Sequence, residues 1–409
     1  MAWKDSVVKP VFYHCISRVV DRKRVFGQEE KEKFRTFMRM QENFSGCRVV
    51  SYCLMSNHIH LLLEVPPMPE GGLSDEGLLA RLRAIYQEAE VAVVASELEE
   101  ARKMEASGAT KTAGGAGGGA LVGTGRPVGT GGMLGTSATT GETGASGRVL
   151  EIHGRYTYRM HDLSEFMKTL MQRFTKWFNR THGRTGNLWE DAFKSVIVED
   201  GYAAKTIAAY IDLNPVRAGI VKDPADYRWS SYGEAIGGGA RGNGKKARAG
   251  LVRALRAHKG CGADASLWAN DVSREYRKLL LAGAVEKLEK SGKLGNVEKL
   301  EARVQVGAQG KMKRVRKGMS AEEVAEEVEE KKAREEREGE LSVGKMLRCR
   351  VRYFTDGAVI GSRSFVNEAF VAARERFGSQ RKDGSRKLRG SGAAAAGTLW
   401  SARALKKGV

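Results

Sequence analysis

The order of strand-like and helical segments is the feature that most constrains the fold of this chain. Residues 11–17, 48–55 and 58–65 are rich in β-branched and aromatic side chains, and residues 28–43 carry apolar side chains at helical spacing. A short turn at residues 56–57 joins the second and third strand-like segments. The first 65 residues therefore predict the order strand, helix, strand, strand.

The second half of the pattern follows a long interruption. Residues 163–179 place aromatic and aliphatic side chains on one helical stripe, residues 193–198 are strand-like, and the helical residues 201–213 end before Pro215. The complete order, β-α-β-β-α-β plus one helix, is that of a ferredoxin-like split βαβ domain. We therefore predict an α+β fold with an antiparallel sheet and helices on one of its faces.

Composition divides the chain into three regions. Glycine makes up 15 of the 40 residues from 108 to 147, so this stretch buries too little to offset the entropy of ordering it. We predict a domain at residues 8–235 that this flexible insertion interrupts at about 105–148. A linker or helical region follows at 236–310, and a charged C-terminal extension at 311–409.

The extension changes the sign of its charge along its length. It begins with the basic run KMKRVRK at residues 311–317 and continues with residues 321–340, which hold ten glutamates against four basic residues. The basic run either contacts a polyanion or is a solvated charge run, and the acidic stretch is most simply a solvated spacer.

The charge balance of the whole chain points to a polyanionic partner. Lysine and arginine number 69 against 49 aspartates and glutamates, which gives a formal net charge of +20. No run approaches the roughly 20 apolar residues of a membrane span, so we expect no membrane partner and a cytoplasmic protein. The five cysteines include no C-x-x-C pair, which favours reduced thiols.

One strand carries two histidines at alternating positions. His58 and His60 project from one side of it, whereas Ile59, Leu61 and Leu63 project from the other. Such a pair can share a metal ion, although it is about as often a hydrogen-bonded surface pair. Because the opposite face is fully aliphatic, the histidines are expected on the side without the obvious core, which favours the metal.

A tyrosine in the helix at residues 201–213 and the asparagine directly after it share one helical face. Tyr210 and Asn214 are four positions apart and so lie about one turn from each other. Helical tyrosines commonly pack, and an asparagine before proline commonly ends a helix, so spacing alone assigns neither a role.

Four stretches of the chain, in this order, resemble one family. They are YHCISRVVDRKRVF (13–26), SYCLMSNHIHLLLEVP (51–66), RTHGRTGNLWEDAFKSVIVE (180–199) and YIDLNPVRAGIV (210–221). Over roughly residues 8–235, without the insertion, the chain resembles the REP-associated tyrosine transposases, single-tyrosine HUH endonucleases with an insertion-sequence-200-like domain. Residues 353–366 also resemble the C-terminal extension of some members.

The resemblance implies a metal-dependent tyrosine transposase that nicks and rejoins single-stranded or hairpin DNA through a 5′-phosphotyrosine. It implies that Tyr210 is the nucleophile, that His58 and His60 bind the metal, and that Asn214 completes the metal site. The expected ion is Mg²⁺ or Mn²⁺, and the tyrosine helix is expected on the opposite sheet face from the other helices. Asp212 stands where members commonly carry a histidine or another large residue, and we assign it no catalytic role.

Basic residues near the second half of the pattern are candidate DNA contacts. They are Arg173, Lys176, Arg180, Arg184 and Lys194. They bracket Phe174, Trp177, Phe178 and Trp189, whose rings could stack on unpaired bases. Helical spacing favours a core role for these aromatics, which would leave only the charges facing DNA.

Several alternatives stay open at the level of the sequence. The chain could be a domesticated, catalytically silent DNA-binding protein, or a metal-dependent hydrolase that uses water. Tyr210 could serve the histidines of its own chain or those of a partner, so a homodimer is allowed. The face of His14 in the first strand is not fixed, and the target DNA sequence is not specified.

Overall fold

The structure is a computed structural model that describes residues 9–112, 147–237, 244–256, 264–268, 271–290, 352–355, 357–377, 384–387 and 399–402. The chain forms two compact units, one from the residues up to 68 together with those from 161 onward, and one from residues 69–160. The run at 311–317, the acidic stretch at 321–340 and most of the glycine-rich stretch, residues 113–146, lie outside the described residues.

The described residues form seven β-strands and twelve α-helices. The strands are β1 Val11–Arg18, β2 Arg48–Leu54, β3 His58–Val65, β4 Lys194–Val198, β5 Val359–Gly361, β6 Arg386–Lys387 and β7 Trp400–Ala402. The helices are α1 Gln28–Ser45, α2 Asp75–Leu82, α3 Glu88–Thr112, α4 Gly147–Thr157, α5 Leu163–Thr181, α6 Tyr202–Asp212, α7 Asn214–Arg217, α8 Ser231–Gly237, α9 Lys245–Arg256, α10 Asp271–Lys290, α11 Arg352–Thr355 and α12 Arg363–Ala372.

The strand order confirms the predicted fold class. All seven strands belong to one sheet in the order β2-β3-β1-β4-β5-β7-β6. Strand β1 lies antiparallel to both β3 and β4, and β2 lies antiparallel to β3. The first four strands therefore have the β4-β1-β3-β2 arrangement of a split βαβ domain.

Helices α1 and α5 cover one face of this sheet because each has a continuous apolar stripe. On α5 that stripe includes Phe166, Leu170, Phe174 and Phe178, all buried in one cluster with Ile59 and its odd-numbered neighbours of β3. The burial of Phe174 and Phe178 supports a core role for these two aromatics.

The tyrosine helix α6 covers the opposite face, as predicted. It packs against β2 and β3 in a second apolar cluster, to which α9 and α10 also contribute. Helix α9 approaches β2 closely because Gly250 has no side chain: a Cβ there would lie 2.6 Å from the carbonyl oxygen of Val50. The even-numbered face of β3 therefore has an apolar core of its own beneath α6.

Part of the C-terminal extension joins the sheet. Strand β5 pairs in parallel with β4, and β7 pairs with β5. The carboxylate of Glu199 accepts hydrogen bonds from the backbone amide and the hydroxyl of Ser362, the residue that caps α12. The sheet is thus three strands wider than the sequence predicts.

Residues 69–160 form a unit of three helices, α2 to α4, which the sequence does not predict. Asp75 ties these helices together because its carboxylate accepts hydrogen bonds from Arg102 on α3 and from His153 on α4. These contacts lower the pKa of Asp75, the bond from Arg102 most. In the described part of the chain, none of the helices is long and apolar enough to span a membrane.

Candidate active site

The two histidines of β3 project toward α6. The ring centroids of His58 and His60 lie 5.0 Å apart, and His60 is 3% exposed. Ile59 and Leu61 project into the cluster beneath α1 and α5, as the alternation of a strand requires. His60 is therefore covered by protein, whereas His58 is half-buried.

Tyr210 reaches the same place from α6. Its ring centroid lies 5.9 Å from that of His60, with the rings perpendicular, and the residue is 1% exposed. Phe354 of α11 also packs against Tyr210, with its ring centroid 4.8 Å from that of the tyrosine. The predicted nucleophile and the predicted metal ligands are thus neighbours within one chain.

A third histidine, His14, belongs to this cluster. Its ring stacks on that of His60 at 5.3 Å and lies 5.9 Å from that of Tyr210. Its Nε2 atom is 3.1 Å from Nδ1 of His60, and its Nδ1 atom is 2.8 Å from the carbonyl oxygen of Phe354. The sequence could not place it because its face depends on the register between β1 and β3, which pairs Ile16 with His60.

Asn214 and Asp212 lie near the end of α6 but differ in role. The Asn214 amide nitrogen donates to the carbonyl oxygens of Tyr210 and Ile211, at 3.1 and 3.3 Å, so it caps the helix. Its side-chain oxygen is the atom that could bind a metal. Asp212 is fully buried elsewhere and accepts hydrogen bonds from the Tyr276 hydroxyl and the backbone of Tyr232. Burial raises the pKa of Asp212 to about 7.

Comparison with known proteins bears on the strands that carry the histidines. Residues 7–70 match the family model described as "Transposase IS200 like". Over this segment the chain is similar to the IS200-like transposases. It contains β1 to β3, and therefore His14, His58 and His60, whereas Tyr210 lies beyond it. The resemblance read from the motifs is confirmed for this segment.

One solved structure shows a weaker similarity to this chain. It is described as that of a REP-associated tyrosine transposase bound to a REP hairpin, and the match has 11% identity and a TM-score of 0.30. It covers 59% of this chain and 86% of that one. A TM-score this low does not establish a common fold. A search of curated proteins found no match.

Two arginines place positive charge near the Tyr210 phenol. Burial raises the pKa of Tyr210, but the charge of Arg217 and its hydrogen bond to the phenol oppose that rise, and Arg18 adds to them. The Arg217 guanidinium carbon lies 4.9 Å from the centroid of the Tyr210 ring. No sequence pattern singled out Arg217, although it lies in the same YIDLNPVRAGIV stretch as Tyr210.

The histidines are neutral, as metal binding requires. Burial lowers the pKa of His14 and of His58 to about 4, and it also lowers the pKa of His60. Neutral imidazoles offer one nitrogen lone pair each.

The donor set of β3 fits a divalent ion. Nδ1 of His58 donates to the side-chain oxygen of Asn57 at 2.7 Å, and Nδ1 of His60 faces His14. These contacts leave Nε2 of both histidines as candidate ligand atoms. The described residues include no group of three or more His, Cys, Asp and Glu side chains that could hold a metal, so amide, phosphate or water oxygens would complete the coordination.

The candidate DNA contacts fall on two sides of the sheet. Lys194 is exposed at the start of β4, in a cross-strand row with Ile16 and His60, so it shares the histidine face. Lys176 and Arg180 are exposed on α5, on the opposite face. The guanidinium groups of Arg173 and Arg184 cover the rings of Phe37 and Phe178. The structure therefore brings only Lys194 of this set to the face of Tyr210.

Proposed function

We propose that this chain is a metal-dependent DNA transposase that cleaves and rejoins single-stranded or hairpin DNA through Tyr210. The observation that carries the proposal is the cluster of Tyr210, His58 and His60, reached from α6 and β3, beside the guanidinium of Arg217. A phenol near two neutral imidazoles and a fixed cation suits attack on a phosphodiester.

Tyr210 acts as the nucleophile in this proposal. Its oxygen forms a bond to phosphorus and the bond from phosphorus to the 3′ oxygen breaks, which leaves a 5′-phosphotyrosine and a 3′-hydroxyl. The phenol loses its proton and the departing 3′ oxygen gains one. Arg217 stabilises the phenolate because a positive charge beside the ring favours its ionised form. A second 3′-hydroxyl can reverse the step and join a new strand.

The metal site of the proposal consists of His58, His60 and the side-chain oxygen of Asn214. A bound Mg²⁺ or Mn²⁺ would act as a Lewis acid on the scissile phosphate and neutralise charge on its oxygens. The chain's own contribution is to present two neutral imidazoles from one strand, the buried His60 and the half-buried His58.

DNA contacts in the proposal divide by face. Lys194 lies on the face of the histidines and would contact phosphates close to the cleavage point. Arg173, Lys176, Arg180 and Arg184 would contact flanking DNA, where charge supplies affinity without reading bases.

A covalent adduct tests the proposal directly. Purified full-length chain is incubated with labelled single-stranded DNA that carries a hairpin, with Mg²⁺ or Mn²⁺, and resolved on a denaturing gel. Wild type should form a protein–DNA adduct, and Tyr210→Phe should form none while it still binds the DNA. Addition of EDTA should abolish the wild-type adduct and leave binding. Cleavage without an adduct would indicate a hydrolase that uses water.

One observation favours the alternative of a catalytically silent DNA-binding protein. Tyr210 is 1% exposed and His60 3% exposed, with Phe354 packed on the tyrosine, so a phosphate reaches them only after local movement. If wild type binds hairpin DNA with metal present but never forms the adduct, this alternative replaces the transposase.

A further inference from the structure

The contact between His14 and His60 links the metal-binding strand to a backbone carbonyl. His14 is fully buried in β1, and its two ring nitrogens have different partners. Nδ1 lies 2.8 Å from the carbonyl oxygen of Phe354, and Nε2 lies 3.1 Å from Nδ1 of His60. The three groups form a chain from a carbonyl through two imidazoles.

The proton positions in this chain follow from the chemistry of its first member. A carbonyl oxygen only accepts hydrogen bonds, so Nδ1 of His14 carries the proton and donates. Burial disfavours a charged ring, so Nε2 of His14 is unprotonated and accepts from Nδ1 of His60. A neutral His60 with its proton on Nδ1 has its lone pair on Nε2, the atom that a metal would bind.

We propose that His14 is a positioning residue that holds His60 in the Nδ1–H tautomer and orients its Nε2 for a divalent metal ion. The inference rests on the proposed function because it gives His60 the role of a ligand. A second-sphere partner of this kind fixes the orientation of a ligating imidazole and raises its basicity.

His58, the other candidate metal ligand, has an equivalent hydrogen bond, but to an asparagine side chain. Nδ1 of His58 donates to the side-chain oxygen of Asn57. Both histidines therefore have Nδ1 engaged and Nε2 facing away from that support. His14 therefore accepts a hydrogen bond from Nδ1 of His60, as Asn57 does from Nδ1 of His58. Unlike Asn57, His14 lies on a separate strand and is itself hydrogen-bonded to Phe354 of the C-terminal extension.

The tautomer can be measured without metal and without activity. Long-range ¹H–¹⁵N correlation spectra of full-length protein labelled with ¹⁵N-histidine, in metal-free buffer, distinguish Nδ1–H from Nε2–H rings. His60 should show the Nδ1–H pattern in wild type and in His14→Gln, because glutamine also offers one acceptor and one donor. In His14→Leu, which offers neither, His60 should shift toward the Nε2–H form.

Mn²⁺ alone is the probe for the metal. Free Mn²⁺ measured by electron paramagnetic resonance should give a dissociation constant about 10- to 100-fold weaker for His14→Leu than for wild type. His14→Gln should stay within about threefold of wild type, since it keeps both hydrogen bonds. His58→Ala, which removes a ligand, should weaken Mn²⁺ binding without changing the His60 tautomer.

The outcomes separate this inference from the proposed function. An Nε2–H form of His60 in the wild type overturns the inference even if His14→Leu does not fold. Equal Mn²⁺ affinity and an equal tautomer in folded His14→Leu also overturn it, while adduct formation by wild type would keep the transposase. Absence of the adduct with the expected tautomers would instead overturn the transposase and leave the role of His14 intact.

Discussion

At Tyr210, burial and positive charge act on the phenol in opposite directions. Burial raises its pKa, and Arg217 lowers it through charge and a hydrogen bond. Arg217→Gln should therefore raise the pKa and reduce the phenolate fraction at neutral pH. A neighbouring opposite charge changes a pKa by about one to three. Because the phenolate fraction falls by the same factor, adduct formation should slow by about 10- to 1,000-fold. Gel assays across a pH series should show the rate rising at higher pH than in wild type.

Lys222→Gln is the matched control for this prediction. It removes the same charge from an exposed residue of the segment that follows α7. Its adduct rate and pH profile should equal those of wild type. If both variants slow adduct formation equally, the effect belongs to overall charge, and Arg217 has no particular role at Tyr210.

The sequence predicted part of this site and could not predict the rest. Strand alternation places His58 and His60 on one face from sequence alone, and their catalytic roles, like that of Tyr210, stay predictions. His14 was out of reach because a strand has two faces, and only the register with β3 selects one. Arg217 was out of reach because its contact with Tyr210 crosses the turn between α6 and α7.

At the scale of elements, the close packing of α9 on β2 depends on a glycine at position 250. A Cβ at Gly250 would lie 2.6 Å from the Val50 carbonyl oxygen and 2.7 Å from that of Val49. Gly250→Ala should move α9 and destabilise this region by about 1–3 kcal/mol, despite the higher helix propensity of alanine. Hydrogen exchange measured by mass spectrometry should become faster in peptides from β2 and α9.

Gly154 in α4 provides the opposite case. Nothing lies within 4 Å of a Cβ at this position, so Gly154→Ala adds only helix propensity. It should stabilise α4 by about 0.5–1 kcal/mol, seen as slower exchange in peptides from that helix. Equal effects of the two substitutions would mean that close approach to β2 does not govern Gly250.

Elements with strong periodicity were predictable, and short or distant ones were not. The four strands and the stripe of α5 follow from alternation and helical spacing, and they suffice for the split βαβ order. Strands β5 and β7 have three residues each, too few for a period, and join the sheet only through pairing distant in sequence. The packing of α9 and α10 likewise depends on contacts that no local pattern encodes.

At the scale of the whole molecule, the net charge of +20 predicts DNA binding that weakens with salt. Specific charges on α5 and the total charge of the chain make different predictions for this salt dependence. Lys176 and Arg180 are exposed on α5, across the sheet from Tyr210. If they contact phosphates of flanking DNA, each contact releases counterions, and its loss reduces the salt dependence of the affinity.

The double variant Lys176→Gln with Arg180→Gln should reduce the slope of log K against log salt by about 1.4 to 1.8, because each phosphate contact contributes about 0.7 on single strands and 0.9 on duplex. Fluorescence anisotropy with labelled hairpin DNA at several salt concentrations measures it. Lys222→Gln with Arg274→Gln removes two exposed charges outside α5, at positions that have no assigned DNA contact, and should leave the slope unchanged. Equal reductions in both double variants would show that affinity follows net charge, and α5 would lose its role as a DNA-binding surface.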